Sequence, residues 1–115
     1  MLTRLRLWIT IRKEVRMTKK DIPPLHPGEV MLEEFIRPLG LSQHQLALSM
    51  RVSPQKINDI VRGKRGITAD TALRLSIALG TSAEFWMGLQ SDYDLETALD
   101  TFGDRLQKEI SPIRI

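Results

Sequence analysis

Residues 41–65 read LSQHQLALSMRVSPQKINDIVRGKR, two short helical patterns with a two-residue gap between them. Ser42 is a residue type that caps helix N-termini, and Leu46, Ala47 and Met50 then recur at helical spacing. Arg51-Val52 is too short for anything but a tight turn. Ser53-Pro54 supplies a cap followed by proline at a first helical position, where its missing N–H costs nothing. The second pattern runs to near Arg62, and Gly63 is free to take the left-handed conformation that closes many helices. Helix, tight turn and helix form a unit that many DNA-binding proteins share.

The second helix of this pair divides into two faces. Stepping about 100° per residue, Ile60 and Val61 fall within about 60° of Ile57, so these three face a core. On the far side Arg62, Gln55 and Asp59 fall at about 140°, 160° and 200°, with Asn58 and Lys56 flanking them. That ridge carries the side chains a major groove demands. A glutamine amide pairs with adenine in two places, arginine pairs with guanine, and a carboxylate accepts from the cytosine amino group. Lys56, Lys64 and Arg65 are placed to meet phosphates, which set position without reading sequence. An ordinary solvated helix face is the bland alternative.

Composition narrows the function further. The chain has 115 residues, 42% of them hydrophobic, enough for one domain with one core. It has no cysteine and only two histidines, His26 and His44, which removes thiolate chemistry, disulfides and a histidine metal site. No metal or cofactor is expected. Glu33 and Glu34 are adjacent and splay apart on a helix, and no serine, histidine and acid constellation emerges, so an enzyme is the weakest reading. Net charge is +3, but residues 1–20 hold seven Lys/Arg against Glu14 alone, and the remainder is mildly acidic. The local pattern matters more: residues 51–65 carry five bases against Asp59. From Glu84 to Asp104 there are six acids and no base, a set that reads either as a solvated helix surface or as a dock for a basic protein. No targeting signal and no apolar run long enough for a membrane span is present, and cytoplasm is the default.

Along the chain, residues 1–21 form a basic tail. Leu5, Leu7, Ile9 and Ile11 alternate with polar neighbours, a strand-like period with nothing to pair with, and Met17 offers a second start. A single helix-turn-helix domain is expected over 22–110, with 111–115 as a tail. Pro27 opens a first helix that runs to about Arg37 and carries Val30, Leu32, Phe35 and Ile36, and His26 caps or packs beside it. Pro38 and Gly40 stop it. Thr68 caps a fourth helix whose buried side includes Leu73, Ile77 and Leu79, and Gly80 ends it. TSAE at 81–84 has capping-box spacing for a fifth. Leu95, Leu99, Phe102 and Leu106 step by four, three and four along a further amphipathic helix, and Pro112 ends it. Met31, Met50 and Met87 read as core filler. Phe85, Trp86 and Leu89 divide between core packing and a dimer interface. The expected fold is all-α, a compact bundle of five to six helices.

Leu41 to Arg65 resembles the Xre/Cro-type helix-turn-helix, with Gln43, Leu46-Ala47, Val52-Ser53, Ile57 and Gly63-Lys64 as its marks. The resemblance implies a lambda-repressor-like DNA-binding fold. It places Gln43 and Ser53 beside phosphate and Pro54, Gln55, Asn58 and Asp59 on the base-reading face. One departure is Arg51, where the family often has glycine. If the turn needs positive φ there, arginine costs about 1 kcal/mol. Three further blocks, IPPLHPGEVMLEEF (22–35), GKRGITADTALRL (63–75) and GTSAEFWMGLQ (80–90), are similar in content and order to HigA antitoxins, the VapI-like group. That likeness implies a homodimer that binds a double-stranded operator at its own promoter, represses its operon and neutralises a HigB-type mRNA-cleaving toxin. Two other readings stand: a stand-alone repressor of the same family without a toxin, and a helical protein-interaction module.

Overall fold

The computed structural model describes residues 24–113. The basic tail over 1–21, the alternating pattern within it and the second start at Met17 lie outside the described residues, as do the last two positions of the 111–115 tail. Every element in the described span is a helix.

The first, α1 (Pro27–Val30), starts with its proline at the first position behind extended His26. The residue before a proline is pushed out of helical geometry, so the chain enters at a defined angle. His26 does cap this helix: its Nδ1 accepts the Gly28 N–H at 2.9 Å. The helix continues unbroken as a π-helical segment, Met31–Ile36, whose end has Arg37 N–H donating to Leu32 C=O, five residues back, at 2.9 Å. This wider turn directly precedes Pro38, which offers no N–H and whose ring crowds the carbonyl four residues before it.

The next two helices are α2 (Gln43–Met50) and α3 (Pro54–Val61). Ser42 Oγ accepts the Gln45 N–H at 3.0 Å while Gln45 Oε1 accepts the Ser42 N–H at 2.7 Å, a complete capping box. Ser53 Oγ caps α3 by accepting the Lys56 N–H at 3.1 Å. Thr68 caps α4 (Ala69–Leu79) in the same way. The last helix, α5 (Ala83–Glu109), is 27 residues of continuous helix, about 40 Å at 1.5 Å per residue. The expected amphipathic helix carrying Leu95 to Leu106 is therefore its second half. Its cap is Ser82, which accepts the Phe85 N–H at 3.0 Å, and not Thr81. Thr81 is occupied elsewhere, its Oγ1 accepting the Trp86 indole N–H at 2.7 Å.

Three helices end in one motif. After the π-segment, α2 and α3 the chain passes through a left-handed residue, Gly40 (φ 65°), Arg51 (φ 56°) and Gly63 (φ 75°). In each case one N–H reaches back five residues and its predecessor three: Leu41 to Ile36 and Gly40 to Arg37, Val52 to Ala47 and Arg51 to Leu48, Lys64 to Asp59 and Gly63 to Ile60. This pairing satisfies carbonyls a helix end would leave bare. Arginine accepts the left-handed geometry of the α2–α3 turn without altering its hydrogen bonds.

The core is assembled from Val30, Met31 and Ile36, from Leu46, Ala47 and Met50 on α2, Ile57 and Ile60 on α3, Ala72 and Leu75 on α4, and Trp86 and Leu89 on α5. Two expectations for α4 fail. Leu73 and Ile77 are 57% and 84% exposed, and the buried side is Thr71, Ala72 and Leu75. Leu79 is packed only partly against the core. Met87 is exposed as well, while Met31 and Met50 are core residues as expected. At Gly28, where α1 crosses the end of α3, an added Cβ would lie 1.8 Å from Ile60 O, so only glycine permits this approach.

Because Arg51 is the one described non-glycine residue at positive φ, Arg51→Gly should stabilise the fold by about 1 kcal/mol. Urea denaturation with an unchanged m-value checks this.

Candidate nucleic-acid interface

The α2–α3 pair presents the expected ridge. Pro54, Gln55 and Arg62 are exposed, and Lys56, Asn58 and Asp59 are half-buried around them. Ile57 and Ile60 on the opposite side are fully enclosed. The polar groups are not independent of one another. Gln55 Nε2 donates to Asp59 Oδ1 at 2.8 Å, and Asp59 Oδ2 lies 3.7 Å from the Arg65 guanidinium. Asn58 Nδ2 donates to Gln43 Oε1 at 3.2 Å, which joins the first turn of α2 to the middle of α3. Asn58 and Gln43, read from the sequence as a base contact and a phosphate contact, thus also hold the two helices in register. Ser53 presents its hydroxyl to its own helix N-terminus as a cap.

Lys64 and Arg65 are exposed on the turn that follows Gly63. Their position is set from beneath by residues outside the α2–α3 pair. Ile67, 4% exposed, anchors the far end of the turn, and its N–H donates to Gln90 Oε1 at 2.7 Å. Gln90 Nε2 in turn donates to Asp94 Oδ1 at 2.9 Å. Gly66 lies against the Gln90 amide so closely that a Cβ there would sit 2.9 Å from its Oε1. Below Gly63 lies the His26 ring, edge-on to Tyr93 with centroids 4.8 Å apart. The basic turn is therefore clamped between the start of α1 and the middle of α5. Sequence reasoning missed Gln90 and Tyr93 as its supports, since a glutamine 23 residues from its partner leaves no local pattern. It also missed Arg74, whose Nη1 donates to Met50 C=O at 2.8 Å and so ties α4 to the C-terminus of α2.

The acids from Glu84 to Asp104 all lie on α5, away in sequence from the basic turn. Glu96 is buried, so this set is not simply a solvated surface. Phe85, Trp86 and Leu89 belong to the core of their own protomer. Trp86 has no exposed surface and packs on Phe35 at 5.4 Å and Phe85 at 5.1 Å. Further along the same helix, Leu95, Leu99, Phe102 and Leu106 are partly exposed. Among the described residues no group of three or more His, Cys, Asp or Glu could hold a metal ion, and no helix is long and apolar enough to cross a membrane.

His26 has one titratable role. Burial holds its pKa below the ordinary 6.5, against the opposing pull of Glu29 and Asp94. Protonation would also remove the lone pair that caps Gly28. The neutral ring is thus favoured in the folded state. Its contribution to stability is complete above 6.5 and is lost as pH falls from there through the lower folded value. His26→Asn keeps a capping acceptor without that titration, so its stability should vary less with pH below 6.5 than the parent's in urea melts.

Comparison with known proteins agrees with this geometry. The profile of the HTH_3 helix-turn-helix family matches residues 32–86. Virulence-associated protein I of Dichelobacter nodosus is 52% identical over 80 residues, which covers 70% of this chain and 74% of that one. Antitoxin HigA-1 of Vibrio cholerae serotype O1 is 35% identical over 81 residues, again 70% of this chain and 74% of that one. The solved structure of Pseudomonas aeruginosa antitoxin HigA with the higBA promoter superposes with a TM-score of 0.77 at 46% identity, covering 79% of this chain and 99% of that one.

Proposed function

The chain belongs to the helix-turn-helix family of HigA and VapI-like antitoxins, and from that membership we propose that it binds an operator at its own promoter, represses its operon and neutralises a HigB-type mRNA-cleaving toxin. The observation that carries the DNA-binding part is the clamped turn. Lys64 and Arg65 stand exposed beside the exposed end of α3, held by the Gly63 closure, His26 and Gln90. Pre-ordering two cations next to a groove-sized helix lowers the entropy lost on meeting phosphates. The relative solved with the higBA promoter supports the DNA-binding reading.

Two half-sites about one helical turn apart require two recognition helices, and hence a dimer. The stripe Leu95, Leu99, Phe102 and Leu106 on α5 suits a second copy of the chain, since it runs at helical spacing and is partly exposed among the described residues. The acids of α5 suit a basic ribonuclease. A stand-alone repressor differs by having no toxin gene beside it and no toxin that co-purifies with it. The protein acts by binding, and its chemistry is that of hydrogen bonds and charge, not catalysis.

Binding to the DNA upstream of its own gene should weaken steeply as salt rises, because phosphate contacts release counterions. Lys64→Ala and Arg65→Ala should each weaken all sequences alike and lower the slope of log K against log salt by roughly 0.9. Flat or sequence-indifferent binding by the parent protein would instead favour the interaction-module reading. For the dimer, Leu99→Glu should yield a monomer by sedimentation and a marked loss of affinity for the complete operator, with thermal stability of the protomer retained.

A further inference from the structure

Gln55 and Asp59 sit one turn apart on the outward ridge, and taken singly each matches a base: glutamine an adenine, aspartate a cytosine. Their arrangement in space is unequal. Gln55 is exposed, whereas the Asp59 side chain is only 21% exposed and lies inside it. Both Asp59 oxygens are already engaged, Oδ1 by Gln55 Nε2 at 2.8 Å and Oδ2 by the Arg65 guanidinium at 3.7 Å. Each oxygen keeps a further lone pair, but a carboxylate that is mostly covered and lies behind Gln55 has less access to a base edge than the exposed amide.

A carboxylate only accepts hydrogen bonds, so the end of the Gln55 amide that faces it must be the nitrogen. This removes the ambiguity of amide orientation on chemical grounds. With one N–H given to Asp59, Gln55 still presents its second N–H and its Oε1 outward. Those are the donor and acceptor that match N7 and the N6 amino group of adenine in the major groove. Without the carboxylate, the amide could turn over and present the reverse pattern. The second oxygen meanwhile holds Arg65 on the ridge side of the basic turn and offsets part of its charge.

We propose that Asp59 is a positioning residue: it orients the Gln55 amide to read one A·T base pair and restrains Arg65, and does not itself read a base. The proposal rests on the operator-binding function and deepens it. Removing the carboxylate then has two separable effects. Selectivity falls at the base pair that Gln55 reads, because the amide loses its fixed orientation. Affinity for unrelated DNA rises, because a phosphate-repelling charge that offsets Arg65 is gone.

The test is a set of binding measurements on the full chain, using the operator upstream of its gene with every single base-pair substitution and an unrelated duplex. The proteins are the parent, Gln55→Ala, Asp59→Ala, the double variant and Asp59→Glu. Gln55→Ala and Asp59→Ala should lose discrimination at the same A·T pair, by roughly 5- to 100-fold, and the double variant should lose no more than Gln55→Ala. Asp59→Ala should also bind the unrelated duplex more tightly than the parent. Asp59→Glu retains a carboxylate within reach of Gln55 and should keep the A·T preference. Loss at a separate C·G pair, with losses that add in the double variant, overturns the positioning role and makes Asp59 a base contact. A parent protein with a steep salt slope but no preference among the duplexes overturns the operator reading as well.

Discussion

Among the described residues, three helix ends close through a left-handed residue with the same paired hydrogen bonds, and the geometry of the α2–α3 surface depends on that repeated closure. At Arg51 the closure sets the angle between α2 and α3. At Gly63 it directs the chain off α3 so that Lys64, whose N–H is bonded to Asp59 C=O at 2.8 Å, emerges beside the exposed ridge. A helix that frayed at either point would leave bare carbonyls and an undirected basic segment. Ordered by paired hydrogen bonds, the two turns make a fixed surface from a stretch with few core residues of its own.

The core holds this surface still from behind. Trp86 is wholly enclosed between the aromatic rings of Phe35 and Phe85, and its indole N–H reaches Thr81, so its burial leaves no polar group unmet. From the same helix Gln90, Tyr93 and Asp94 extend under the basic turn, and His26 completes the support from the start of α1. The helix that carries the partly exposed apolar stripe is thus also the one that braces the basic turn. The dimer contacts proposed for the distal half of α5 and the position of Lys64 and Arg65 would share one element.

Much of the local structure was legible in advance, and for a definite reason. Ser42, Ser53 and Thr68 cap their helices because a short side-chain oxygen beside an orphan N–H is a local interaction that needs no distant partner. The outward direction of Gln55, Asp59 and Arg62 followed from helical pitch once Ile57 and Ile60 were taken as buried. Where local signals were ambiguous, they misled. Thr81 and Ser82 are both good caps, and the choice fell to Ser82 because Trp86 claimed the other hydroxyl. On α4, Leu73 and Ile77 lie about 180° from Leu75, with apolar residues on both sides. Periodicity defines such stripes but does not say which one meets the core, and here small Thr71 and Ala72 let the neighbouring helices approach.

By itself, then, the sequence determined the caps of α2, α3 and α4, the glycine stops and the chemistry offered on the ridge of α3, because these depend on interactions within one or two turns. Only the tertiary structure decided which apolar stripe is buried, that Phe85, Trp86 and Leu89 serve the protomer's own core, and that Gln90 and His26 support the basic turn. The bond between Gln55 and Asp59 belongs to an intermediate scale, adjacent on one helix yet completed by Arg65 from the following turn. Contacts of that kind depend on where separated backbone segments come to rest. That placement is set by packing the whole core, for which no local pattern substitutes.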